Sequence, residues 1–229
     1  MNEHFDVIVA VLELIGTAAF AASGALTAIK RQFDLFGVII IGVTTAAGGG
    51  IMRDIVIGSH PAAAFRDPMA MGVSAAVSVG IFAVAALTGG FGEKAMRLYD
   101  TAMLLLDTIG LGIFTVTGIT AAIRSGASGN NFLLVFSGVI TGVGGGVLRD
   151  IFVNKKPEIF VGNIYACASA TGAAAFLLSC SVTSFMPACI ISLSVTFSLR
   201  LLSVKFGWNL PKIHIGTNGV KTSAQKKIS

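Results

Sequence analysis

The feature that most constrains this chain is a seven-residue phrase that occurs twice. Gly48-Gly49-Gly50-Ile51-Met52-Arg53-Asp54 returns as Gly144-Gly145-Gly146-Val147-Leu148-Arg149-Asp150. Both copies lie inside apolar stretches, where this chemistry is costly. A glycine in a helix interior gives up about 1 kcal/mol relative to alanine. A charged side chain at membrane depth costs about 3 kcal/mol unless it is paired or hydrated. Both penalties are incurred twice at matching positions, which marks the phrase as a packing or functional device.

Composition sets the class. Of 229 residues, 54% are hydrophobic and 12% charged, against about 25% charged in a soluble domain. With a mean hydropathy of +0.85, the chain reads as an integral membrane protein. At about 20 apolar residues per crossing, the length holds about six to eight helices and no separate soluble domain. The net charge of +5 could suggest a nucleic-acid partner, but the basic residues fall between hydrophobic segments and report topology instead. Cys167, Cys180 and Cys189 lack ligand-like spacing and read as buried packing residues, not as a disulfide or metal framework. The acidic start, Met1 to Asp6, lacks a basic leader, so no cleavable signal is expected.

The hydrophobic pattern predicts an all-α polytopic fold with seven helices, over about 5–29, 37–58, 68–89, 101–124, 132–153, 160–180 and 185–206. Between them stand turn residues such as His60-Pro61, Gly89-Gly90-Phe91-Gly92, Lys156-Pro157 and Met186-Pro187. The first three helices match the next three. Asp6, Glu13, Gly16, Phe20, Gly24 and Lys30 precede Asp100, Asp107, Gly110, Phe114, Gly118 and Arg124 by 94 residues. After a two-residue insertion, an offset of 96 relates Gly42 to Gly138, Arg53 to Arg149 and Pro61 to Pro157. The expected units are 1–92 and 93–183, then a seventh helix within 184–207 and a basic cytoplasmic tail over 208–229.

Three helices per unit is an odd number, so the second unit enters from the opposite side. The two units are then inverted about an axis in the membrane plane, an arrangement that encloses a pathway. Eleven Lys and Arg residues, among them Lys30, Arg31, Lys94, Arg97, Lys155 and Lys156, fall on one side, against Arg66 and Arg124 on the other. With the positive side inside, the N-terminus is outside and the C-terminus cytoplasmic.

Three sets of residues could carry chemistry. The glycine triplets could unwind their helices and offer backbone carbonyls to a cation, or serve close packing. Arg53, Asp54, Arg149 and Asp150 could shape a pathway's field or act as interfacial locks. The paired carboxylates Glu13 and Asp107 are functional candidates as intramembrane acids, or buried groups bonded to a neighbouring helix. Ser23, Thr44, Thr45, Thr117, Ser137 and Thr141 allow tight packing, and a few could line a narrow polar pore. Neither copy ends in Gly-Lys-Ser/Thr or follows a strand, so the motif is not a phosphate loop. His4, His60 and His214 are scattered, and no nucleophile–base constellation appears. No enzyme, cofactor or resident metal is expected.

At its paired Gly-Gly-Gly-x-x-Arg-Asp motifs the chain resembles small bacterial membrane proteins with a duplicated three-helix domain, described as glycine transporters. These are similar to the trimeric intracellular cation (TRIC) channels. The resemblance spans about residues 5–206. It implies the bacterial inner membrane, a homotrimer embedded in lipid, and one potassium-permeable pore inside each subunit. It also implies pore hinges at Gly48, Gly49, Gly50, Gly144, Gly145 and Gly146. Two functions therefore stand: a monovalent cation channel, or a secondary carrier of a small zwitterion such as glycine, coupled through Glu13 or Asp107.

Overall fold

A computed structural model of the protein describes residues 3–88, 93–161 and 164–208. Among these the chain is helical, without a strand. In order stand α1 (Glu3–Lys30), α2 (Leu35–Val56), the single turn α3 (Ala63–Arg66), α4 (Met69–Leu87) and α5 (Glu93–Arg124). They are followed by α6 (Asn131–Phe152), the single turn α7 (Glu158–Val161), α8 (Tyr165–Cys180) and α9 (Phe185–Phe206). Six of them, α1, α2, α4, α5, α6 and α9, are long and apolar enough to cross a membrane. The apolar α8 has 16 residues.

The boundaries differ from expectation chiefly in two places. α5 begins at Glu93 rather than near 101, because helical backbone continues through polar residues that a hydropathy reading excludes. The stretch over 160–180 divides into α7 and α8, with Ile164 in left-handed backbone before α8 (φ 49°). Pro187 lies in the first turn of α9, where its missing N–H leaves no helical bond unmade. The Gly89-Gly90-Phe91-Gly92 connection, His214 and the tail beyond Trp208 lie outside the described residues.

α2 and α6 begin on matching caps. The Asp34 carboxylate accepts from the Gly37 N–H at 2.7 Å, and the Asn130 side chain accepts from the Leu133 N–H at 3.0 Å. Each cap satisfies a donor that a helix start otherwise leaves without a partner. Both helices then run unbroken through their glycine triplets. This corrects the expectation of glycine-broken helices. The glycines are needed because α2 and α6 cross backbone against backbone. A Cβ on Gly49 would fall on the Thr141 carbonyl oxygen, and one on Gly145 on the Thr45 carbonyl oxygen. A Cβ on Gly144 would lie 3.0 Å from the Gly49 Cα. No side chain fits there unless a whole helix moves.

α1 and α5 pack antiparallel. The Phe20 and Phe114 rings meet with centroids 5.1 Å apart. Gly110 leaves room for Phe20, and Gly16 for Ile113 and Phe114. At one end Lys30 bridges Asp100 at 2.6 Å; at the other Arg124 bridges Asp6 at 2.5 Å. These two bridges exchange residues that the 94-residue offset makes equivalent. The α2–α6 crossing does the same with Gly49, Gly145, Thr45 and Thr141.

The outer surface is apolar: Phe36 is 70% exposed, Phe132 79% and Leu87 88%. The interior instead holds hydroxyls, with Ser23, Thr45, Ser78, Thr115, Ser137 and Thr196 fully buried. Apolar side chains outside and small or hydroxylated ones inside are what helices packing in lipid require. The chain is a multi-pass membrane protein. Cys189 is buried, whereas Cys167 and Cys180 are exposed on α8. The packing expectation is corrected for those two, which are exposed.

The crossing is the fold's tightest point. Gly49→Ala should cost about 1–3 kcal/mol of stability through overpacking against backbone. Gly72→Ala is the contrast: on α4, a Cβ at that position would have nothing within 4 Å. That substitution should gain up to about 1 kcal/mol. Thermal unfolding of both variants in detergent checks the difference, and equal melting temperatures would refute the packing role.

Candidate functional site

The two Arg-Asp pairs end α2 and α6 with the same construction. The Arg53 Nε donates to Asp54 Oδ1 at 2.9 Å, and the Arg149 Nε to Asp150 Oδ1 at 3.0 Å. The second carboxylate oxygen reaches the returning chain. Asp54 Oδ2 accepts from the Ala63 N–H at 2.7 Å, and Asp150 Oδ2 from the Glu158 N–H at 3.1 Å. Each aspartate thus aims its arginine and fastens the turn that follows the helix. Charge-assisted bonds of this kind are about twice as strong as neutral ones.

Beyond these shared features the two ends diverge. Beside Arg53 two adjoining cavities, of about 240 and 470 Å³, share Glu13, Arg53, Asp54, Asp67 and Thr117 in their walls. They extend from Arg124 and Ser125 at the end of α5 down to Gly50 on α2 and Thr141 on α6. Glu13 is exposed to this space and makes no ion pair within 4.0 Å. The Thr117 hydroxyl is buried there without a hydrogen-bond partner.

Beside Arg149 the space is filled. Arg149 is 1% exposed. Its Nη1 donates to the Ser23 hydroxyl at 2.8 Å and pairs with Asp107, while Nη2 lies 3.0 Å from Asp150. α1, α5 and α6 are therefore tied through one guanidinium. The hydroxyl of Tyr165 stands over Gly146 beside this cluster. Arg200 of α9 lies on the Tyr165 ring, 4.6 Å from its centroid, and pairs with Glu158. Burial works against a charged Glu158, but Arg200, Lys155 and Arg149 outweigh it and hold its carboxyl below the usual range.

The sequence candidates are thus distributed unevenly. Arg53, Asp54, Glu13, Gly50, Thr117 and Thr141 meet around the cavity. Arg149, Asp150, Asp107 and Ser23 form the filled cluster, with Gly146 against it. Gly49, Gly144 and Gly145 make the crossing, while Gly48 faces Leu148. Thr44 lies in an adjoining groove with Met71 and Phe152, outside the cavity's own lining. The Thr45 hydroxyl is spent on the Ile41 carbonyl at 2.6 Å, and the Ser137 hydroxyl is buried without a partner. Tyr165, Glu158 and Arg200 were not among the candidates. Arg200 carried the missing signal, an arginine within the last apolar stretch. Among the described residues no group of three or more His, Cys, Asp or Glu could hold a metal ion.

Comparison with known proteins adds to this geometry. A family model described as glycine transporter matches residues 10–89 and 104–180. A UPF0126 membrane protein of Deinococcus radiodurans is 37% identical over 203 residues, covering 87% of this chain and 89% of its own. A solved structure described as the structural basis for conductance through TRIC cation channels superposes with a TM-score of 0.75 at 32% identity, covering 90% of this chain and 97% of its own. The TRIC trimeric intracellular cation channel orthologue from Rhodobacter sphaeroides gives a TM-score of 0.78 at 29% identity, covering 88% and 99%.

The Glu158–Arg200 pair makes a pH-dependent prediction. Its contribution is present above the ordinary carboxyl value of 4.5 and is lost as pH falls through the lower native value. Glu158→Gln should cost about 2 kcal/mol at neutral pH, since it leaves a buried guanidinium short of its anion. The gap to the unsubstituted protein should narrow below pH 4.5. Thermal unfolding across pH measures it, and a gap independent of pH would exclude the charge pairing.

Proposed function

We propose, for a chain that belongs to the glycine transporter family and shares the fold of the TRIC cation channels, that it conducts monovalent cations, chiefly potassium, through a pore inside each protomer. The observation that carries this reading is the cavity beside Glu13, Arg53, Asp54 and Thr117, which reaches Gly50 on α2 and Thr141 on α6 at the α2–α6 crossing. A cation entering past Glu13 descends beside hydroxyls and Gly50 toward the α2–α6 crossing. Beyond the crossing the Arg149 guanidinium, fixed by Asp107, Asp150 and Ser23, occupies the way out and repels it. Conduction requires that this clamp release.

The reciprocal contacts support two inverted three-helix units, 1–92 and 93–183, with α8 completing the second unit and α9 standing outside the repeat. The glycine triplets shape the pore by permitting the crossing. The charge bias of the connections supports an external N-terminus and a cytoplasmic C-terminus. Apolar spanning helices fit a bacterial inner membrane, since proteins of the outer membrane are barrels. The fold shared with channels described as trimeric supports a homotrimer with lipid around it. No cofactor is needed for this activity.

A carrier of glycine is the second reading, and one observation favours it. A carboxylate, Glu13, and a guanidinium, Arg53, face one cavity, as the two ends of a zwitterion would require. Planar-bilayer recording of the purified protein under a potassium gradient decides between them. Unitary currents reversing near the potassium potential are expected. A silent bilayer, with saturable glycine exchange in liposomes from the same preparation, would replace the channel by the carrier. Within the channel reading, Asp107→Asn removes one charge-assisted bond from the clamp and should change open probability by about tenfold. An unchanged open probability would remove Arg149 from the gate.

A further inference from the structure

We propose that Arg53, Glu13 and Thr117 form a second barrier, the counterpart of Arg149, Asp107 and Ser23, and that the two barriers close in turn. The inference rests on reading the space between the units as a pathway, and goes beyond it in assigning a closing site to the end that stands open.

The closed clamp has three partners for one guanidinium. Arg149 bonds its own neighbour Asp150, a carboxylate on α5 (Asp107) and a hydroxyl on α1 (Ser23). Every member has an equivalent at the fixed offsets of the repeat: Arg53, Asp54, Glu13 on α1 and Thr117 on α5. The chemistry is kept in each exchange, acid for acid and hydroxyl for hydroxyl. At the open end only the first of these bonds exists, between Arg53 and Asp54. The Thr117 hydroxyl is 1% exposed and bonded to nothing, and Glu13 has no cation within 4.0 Å. Both line the same cavity as Arg53. The parts of a second clamp are assembled around one space and not engaged. A buried hydroxyl without a partner is unfavourable, so a conformation that lets Arg53 reach it has something to gain.

The crossing makes the two clamps exclusive. Gly49 and Gly145 hold α2 and α6 in backbone contact, with no side chain between them to shear. Arg53 and Arg149 each lie four residues beyond their crossing glycine, on helices that run in opposite directions. A tilt of the α2–α6 pair as one body carries Arg53 toward Glu13 and Thr117 while drawing Arg149 away from Asp107 and Ser23. In the present conformation one clamp is closed and the other open.

Labelling of the full-length chain by a water-soluble maleimide tests this without requiring any flux, so its outcome is separate from that of the current recordings. The three native cysteines are replaced by serine, and single cysteines are placed at Ala47, in the cavity wall, and at Val143, its equivalent beside the closed end. Ala47→Cys should label readily and Val143→Cys should be protected. Adding Asp107→Asn should raise labelling at Val143→Cys by about tenfold, the shift expected from one charge-assisted bond. In the same background labelling at Ala47→Cys should fall. Thr117→Val, which keeps the side-chain volume and removes the acceptor, should then restore the labelling at Ala47→Cys. If Asp107→Asn does not fold, Ser23→Ala loosens the same clamp and takes its place. Labelling that rises at Val143→Cys while staying constant at Ala47→Cys would overturn the proposal, as would no change at either site.

Discussion

The structure depends on one contact, the crossing of α2 and α6 at Gly49 and Gly145. Each glycine meets a carbonyl oxygen of the opposite helix, from Thr141 and Thr45 respectively. Apolar helices in lipid gain nothing from burying leucine against leucine, because lipid tails are equally apolar. What holds such a bundle is close dispersion contact, and glycine allows the closest approach. The propensity lost at Gly49, Gly144 and Gly145 is offset by backbone packing in the middle of the molecule. Everything polar in the interior is then placed by its distance from that crossing, on helices that cannot slide past one another.

The charged residues follow from the same geometry. An unpaired guanidinium inside a bundle would be prohibitive, and removing one partner of a buried pair leaves the other uncompensated. Adjacent aspartates solve part of this locally, since Arg53–Asp54 and Arg149–Asp150 are formed within single helices. Local pairing leaves each guanidinium with donors to spare. Those donors make the arginines usable as clamps: Arg149 spends them on Ser23 and Asp107, and so draws α1 and α5 onto α6. An arginine already neutralised by its neighbour can release these outer partners without becoming a bare buried charge.

Much of this was legible in the sequence. The doubled phrase and the 94- and 96-residue offsets pointed to the paired arginines, to Glu13 and Asp107, and to the equivalences that reappear as the Lys30–Asp100 and Arg124–Asp6 bridges. The state of the glycine helices was not legible. Glycine weakens a helix wherever water competes for its backbone, but in a bundle the tertiary contact overrides propensity, and α2 and α6 stay helical. Nor could the sequence tell Thr44 from Thr45. They are neighbours in the chain, yet a step of about 100° around the helix sends one to an outer groove and the other inward. Tyr165 and Glu158 lack a motif altogether; only the return of the chain over Asp150 brings them to the clamp.

Residues that the sequence offsets match sit in different surroundings at the two ends, and one difference lies beyond the matched stretches. α9 has no counterpart, and it carries Arg200, which pairs with Glu158 and lies over Tyr165. Glu158 in turn donates its backbone N–H to Asp150, the residue that aims Arg149. At the equivalent position after Pro61 stands Ala62, which offers no acid to hold. The closed clamp is therefore braced by a helix that the open one lacks. Arg200 of α9 acts on the Arg149 cluster only through Glu158 and Asp150, one hydrogen bond removed from the guanidinium it steadies.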